Sequence, residues 1–266
     1  MYRKITDGFY WLQECPTNNT EFVDQVNPPK WYKGNEEVHI PQSIYLLVDE
    51  YSLLFDTFSP ASTDEVLDEV KEILGERDLD YLVLSHTDVP HAGNTKAILD
   101  TYPGAQLIAP KYGTGHELYR LNSSKLVGNG DKLELGKFKI KFHEAPFVDS
   151  AIHLWMTEET TNTLFTVDWH GFPHNGSDCM LFADELDYPI SEDQLMQFHG
   201  RVMFWLEYVK PEKVNEEIDH ILAEHSPEQV APAHGHFIRQ DAAAELEKMK
   251  SVVELISEDG RIGAFG

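Results

Sequence analysis

The stretch Tyr81-Leu82-Val83-Leu84-Ser85-His86-Thr87-Asp88-Val89-Pro90-His91-Ala92-Gly93-Asn94 decides how this chain is read. Its first four residues are apolar in succession, as in a short strand covered on both faces. Two histidines flanking a carboxylate follow, and Gly93-Asn94 then lead into a helical pattern from Thr95 to Tyr102, with Asn94 as its N-cap. The loop carrying His86, Asp88 and His91 is therefore placed at the carboxyl end of a strand, where open α/β sheets keep their sites. Imidazole and carboxylate are borderline-to-hard ligands suited to zinc, iron or manganese. A lone loop histidine reads as solvated; three candidate ligands packed into one short loop point to a metal.

Working outward, Gly8–Gln13 reads as a strand, and Ser43–Asp49 with Ser52–Asp56 as a hairpin around Glu50-Tyr51. Between them, Cys15–Gln42 is polar and Pro-containing, a long loop with Trp31-Tyr32-Lys33-Gly34 at its centre, whose aromatics are read as packing. Ser62-x-x-Glu65 is a capping-box signature ahead of a helical stripe of Val66, Leu67, Val70, Ile73 and Leu74. Gln106–Ala109 reads as a strand. Lys132–His143 reads as a hairpin turning at Gly136, with Phe138, Ile140 and Phe142 facing inward and Lys137, Lys139 and Lys141 outward. Two strands follow, Ala151–Met156 and Thr163–Val167, the second ending in Asp168. Glu192–His225 is helical with a break at Pro211, Gln229–Ala233 is a strand meeting His234, and Asp241–Ser257 is a closing helix. This order, β-rich then helical, twice over, suits two sheets sandwiched between helices.

Composition sets outer bounds. A chain of 266 residues buries roughly 70–75 % of its unfolded surface on folding, enough for one large domain. The formal charge of −25, from 46 acidic and 21 basic residues, repels phosphate and argues against nucleic-acid or anionic-membrane partners. Acidic residues spread along the entire chain give a surface similar to that of proteins from salt-accumulating organisms. The sequence has neither a stretch of roughly 20 apolar residues nor a signal-peptide core at its start, so a cytoplasmic location is expected. There, Cys15 and Cys179, far apart and outside any CxxC, are expected as free thiols. Ser85 and Ser150 lack a GxSxG context, and no phosphate-binding glycine motif occurs.

The loop resembles that of the metallo-β-lactamase superfamily, His-x-His-x-Asp-His, and more closely the His-x-Glu-x-Asp-His of its flavodiiron branch. His86 and His91 match the outer histidines, Asp88 stands where the family has His or Glu, and Pro90 stands where it has Asp. Leu164–Asp168 resembles the strand of the metal-bridging Asp, and Val230-Ala231-Pro232-Ala233-His234-Gly235 the loop of the last His. The family's mid-chain Ala-Pro-x-x-His pattern falls on Ala145–Ser150, with Asp149 at the His position; His143 and His153 are the neighbouring imidazoles and read as packed or surface residues.

This resemblance spans nearly the whole chain and implies an α/β fold, the metallo-β-lactamase-like αββα four-layer sandwich, as a single domain over 1–266. It implies one metal position from His86, Asp88, Asp149 and the bridging Asp168, and a second from His91, Asp168 and His234. The carboxylate-rich set favours two irons, with manganese or zinc as alternatives. Flavodiiron relatives reduce oxygen or nitric oxide using a flavin on a second domain. Since the sequence stops at Gly266, electrons are expected from an external donor, with no flavin on this chain. Head-to-tail pairing in those relatives implies a homodimer. Two alternatives are a metal-dependent hydrolase of lactones, esters or thioesters, against which Pro90 weighs, and a protein that keeps the fold with a degenerate site. His170 and His174 are read as loop histidines.

Overall fold

The computed structural model describes residues 1–15, 22–24, 26–111, 124–149 and 153–260. Ser150 and the first residues of the expected strand Ala151–Met156 lie outside them. The chain is organised in two compact units, the first formed by Met1–Glu14, Gln42–Ala145 and Ser150–Thr160, the second by Cys15–Pro41, Pro146–Asp149 and Thr161–Gly266.

The first unit is built on a seven-stranded sheet. Tyr2–Thr6, Phe9–Glu14, Gln42–Val48 and Ser52–Phe55 pair antiparallel in that order. Tyr81–Val83, Gln106–Pro110 and Lys125–Val127 continue the sheet in parallel. Short turns join Tyr2–Thr6 to Phe9–Glu14 and Gln42–Val48 to Ser52–Phe55, whereas a parallel pairing such as Ser52–Phe55 with Tyr81–Val83 needs a crossover. Helix Thr63–Leu74 makes such a crossover, burying Val66, Val70 and Leu74 against a core that includes Leu54, Leu82 and Leu107. Full burial of such a side chain stabilises by about 1.5–3 kcal/mol.

The expected strands and the hairpin at Glu50-Tyr51 are present, and Tyr2–Thr6, Lys125–Val127 and the start of the first helix depart from the sequence reading. Tyr2–Thr6, only partly buried, is an added edge strand. The capping box at Ser62 does not form: Ser62 occupies the N-cap without a side-chain cap bond, because its hydroxyl serves Glu14. The hairpin Lys132–Glu134 and Lys139–Glu144 pairs antiparallel and extends to Leu154–Glu158. Phe138, Ile140 and Phe142 are fully buried on its inward face, as the alternation predicts.

The second unit carries helices Glu192–Val202, Pro211–His225 and Ala242–Asp259. Pro211 opens its helix instead of kinking one, the position where a missing N–H costs nothing. A true capping box, Ser191 with Gln194, starts the first of the three. Strand Thr163–Val167 lies parallel to Gln229–Pro232, and Val38–His39 pairs antiparallel with His174–Asn175. The long segment before residue 42 is anchored by packing: Val23, Trp31 and Val38 form a small core, and the Trp31 indole N–H donates to Asp193 at 2.9 Å. Cys15 and Cys179 are not free thiols; a disulfide joins them across 164 residues of sequence.

Candidate metal centre

In the first unit, two adjacent parallel strands end side by side, with Phe55 opposite Val83. Asp56 leaves the first strand with φ 65°, a left-handed conformation that Asp tolerates better than most residues. Its carboxylate is buried, accepting the Ser85 backbone N–H at 2.8 Å, the Ser85 hydroxyl at 2.8 Å and His91 Nδ1–H at 2.9 Å. The carboxylate thereby fixes the His91 tautomer and makes Nε2 the basic nitrogen. His86 Nδ1 lies 3.0 Å from the Ser85 hydroxyl. One serine and one aspartate thus orient both histidines of the loop.

His91 rides on the one-turn helix Val89–Ala92, whose first turn holds Pro90. Proline suits that turn because its N–H would have no intrahelical acceptor. Asp88 sits at the N-cap, half-exposed, with Oδ2 4.0 Å from His86 Nε2. Gly93 then passes so close to its surroundings that a Cβ would meet Pro60 Cδ at 2.5 Å and the Val89 carbonyl at 2.6 Å. Asn94 stands at the N-cap of the next helix as expected, but its side chain turns elsewhere, donating to the carbonyls of Thr57 at 2.8 Å and Ser59 at 2.7 Å. It ties the His86–His91 loop to the Asp56 turn.

The third imidazole of this unit is His153, which stacks on His86 with ring centroids 3.8 Å apart, while His91 lies 4.0 Å from His86 on centroids. All three rings are buried. The sequence pattern sets His153 inside a strand; in the structure it immediately precedes Leu154–Glu158. His143 is a packed residue whose Nε2 bonds to the Thr157 hydroxyl at 2.9 Å.

In the second unit, Asp168 and His234 follow the carboxyl ends of the parallel strands Thr163–Val167 and Gln229–Pro232. Asp168 Oδ1 lies 3.0 Å from His234 Nε2. His234 Nδ1 faces the Pro41 carbonyl at 2.9 Å, and since a carbonyl only accepts, Nδ1 carries the proton. Nε2 and the facing carboxylate oxygen are both donor atoms of the kind that bind borderline metals. A bound metal fits that donor pair.

The turn after Asp168 is strained and buried. Val167 has φ 54° and His170 φ 73°, and a β-branched residue in that region costs on the order of 1–3 kcal/mol. His170 and His174 are buried, not the solvated loop residues the sequence suggests. The His170 backbone N–H donates to His199 Nε2 at 3.1 Å, and His199 Nδ1–H donates to the Leu195 carbonyl at 2.8 Å. Burial, against the help of that carbonyl, pushes His199 down to about 3. A neutral His199 is therefore the acceptor that secures the strained turn. Asp149, half-buried, follows Phe147 and Val148, which are fixed by stacking on Trp169 at 4.1 Å and by a 2.7 Å bond from the Trp205 indole.

Comparison with known proteins then decides the family: residues 40–235 match the model described as ODP family beta lactamase. The chain belongs to the ODP family of beta lactamases. Among the relatives of this ODP chain are a nitric oxide reductase of Moorella thermoacetica, 25 % identical over 91 % of the chain, and a rubredoxin-oxygen oxidoreductase of Megalodesulfovibrio gigas, 24 % identical over 89 %. It spans 59 % and 56 % of those two proteins. The solved rubredoxin oxygen:oxidoreductase of Desulfovibrio gigas matches with a TM-score of 0.73 at 18 % identity, over 97 % of this chain and 61 % of that one. A Nostoc fragment of a diflavin flavoprotein matches with a TM-score of 0.74 at 14 % identity, over 97 % of both chains. The fold is the mixed α/β metallo-β-lactamase fold of the flavodiiron proteins.

Proposed function

We propose that this ODP-family chain holds two non-haem irons and binds or reduces oxygen or nitric oxide with electrons from an external donor. The observation that carries the reading is the Asp168–His234 pair, which sets a carboxylate oxygen and an imidazole nitrogen 3.0 Å apart just beyond the ends of two parallel strands, on a chain whose relatives include a rubredoxin-oxygen oxidoreductase and a nitric oxide reductase. The proposed ligands are His86, Asp88, His91, Asp149, Asp168 and His234, joined by His153 on account of its stacking against His86. Iron bound by such a set would supply a redox centre.

The chain's own groups prepare the ligands. Asp56 holds the proton on His91 Nδ1, and the Pro41 carbonyl holds that on His234 Nδ1, so both rings offer Nε2. Burial of the imidazoles keeps water from competing. The same reading includes a cytoplasmic location, a homodimer, and no flavin bound by this chain.

Elemental analysis of freshly purified protein, with visible spectra before and after reduction, tests it. About two irons per chain and absorption that changes with redox state are expected. Oxygen or nitric oxide binding that is undiminished in metal-stripped protein overturns it.

A further inference from the structure

A second cluster of soft and borderline donors lies wholly within the second unit. Cys15, His39, His174 and Cys179 reach it from three separate stretches of the sequence. The two sulfurs and a ring nitrogen of His174 all lie within 4.8 Å of one another, and His39 Nδ1 is 3.2 Å from Cys179 Sγ. The cluster is set by backbone pairing: His39 and His174 are directly opposite in the antiparallel pair Val38–His39 and His174–Asn175, with ring centroids 5.9 Å apart.

The protonation pattern is that of a ligand set. His174 is completely buried, and its Nδ1–H donates to the Asn175 carbonyl at 2.7 Å. Its Nε2 is buried with no hydrogen-bond partner. Burial, reinforced by the nearby His236, holds this ring neutral by pushing it well below the usual histidine range. His39 Nε2 faces the Glu37 carboxylate at 3.1 Å, which turns Nδ1 toward the sulfur. A disulfide has no use for two imidazoles with their basic nitrogens turned to it. Two thiolates and two imidazoles are a tetrahedral zinc set, here with a carboxylate behind one histidine.

We propose that reduction of the Cys15–Cys179 disulfide by a dithiol converts this cluster into a zinc site formed by Cys15, Cys179, His174 Nε2 and His39 Nδ1. In the reduction the S–S bond breaks and receives two electrons and two protons from the dithiol, which leaves as its own disulfide. Zinc binding then releases the two thiol protons to solvent. The segment that Cys15 begins is thus tethered in either state, by a covalent link when oxidised and by the metal when reduced.

The test is an anaerobic cobalt(II) titration of the iron-loaded protein before and after dithiol treatment and desalting, followed by displacement with zinc. Thiolate-to-cobalt charge-transfer absorption is expected only after two thiols become titratable, at one equivalent beyond the iron, and zinc abolishes it. His174→Ala, which keeps the disulfide and so is checked for folding in its oxidised form, weakens the band at least about 10-fold. His234→Ala retains the band, which separates this site from the proposed iron ligands. Folded, reduced protein with two titratable thiols and no charge-transfer band overturns the proposal. So does His174→Ala that binds cobalt as tightly as the parent, or thiols that no dithiol exposes in the folded protein.

Discussion

Asp56 Oδ2 accepts the Nδ1–H of His91 at 2.9 Å, and the two residues are 35 positions apart in sequence. Asp56→Asn replaces an obligate acceptor with a group that can also donate, so the His91 tautomer is no longer dictated. Iron affinity is expected to fall about 10–100-fold, read by competition with a chelator. Asp56→Ala additionally strands the buried Ser85 N–H, costing on the order of 1–3 kcal/mol in urea unfolding.

His153 and Asp149 separate two accounts of the ligand set. Stacking on His86 predicts that His153→Ala loses about half of the bound iron while far-ultraviolet circular dichroism is unchanged. Metal content of the two alanine variants, measured side by side, ranks them. Full iron in His153→Ala would return that histidine to packing alone.

Gly93→Ala puts a methyl group 2.5 Å from Pro60 Cδ and 2.6 Å from the Val89 carbonyl. Overpacking of this kind costs about 1–3 kcal/mol. The urea midpoint should drop accordingly, and because the clash pushes on the helix bearing His91, iron content should fall with it.

His199 makes stability depend on acid. Its folded value, about 3, lies below the ordinary 6.5 of the unfolded chain, so between those limits the unfolded state binds the extra proton. The contribution is complete above about pH 6.5 and is lost as pH falls toward 3, amounting to on the order of 3 kcal/mol by pH 4. Urea midpoints across that range should be flatter in His199→Gln than in the parent. A parent slope matched by the variant would remove His199 as the cause.

The parts legible in the sequence are those written contiguously. The loop of His86 and His91, the strand ending in Asp168 and the loop of His234 each carry strand, turn and candidate ligand in one short run. Asp56 is a single carboxylate after an ordinary apolar strand, and its role exists only because that strand lies parallel to Tyr81–Val83. The stacking of His153 on His86 and the joining of Cys15 to Cys179 are likewise products of tertiary approach, with no local pattern to mark them. At Ser62 a local signal was present and lost, since half-buried Glu14 competes for the hydroxyl. Pro90 reads in sequence as a missing ligand and in the structure as the opening residue of the helix that carries His91.

Val167, at φ 54°, pairs with Pro232 where the register of the parallel strands shifts, and its carbonyl accepts the Ala233 N–H at 2.7 Å. A one-residue slip of this parallel pair would swap every side chain to the opposite face. The left-handed residue works as an index mark: it can engage only one partner carbonyl-to-amide step, and slippage would place the reversal inside the ladder. Asp168 and His234 therefore keep their mutual phase by backbone shape, independently of anything bound to them.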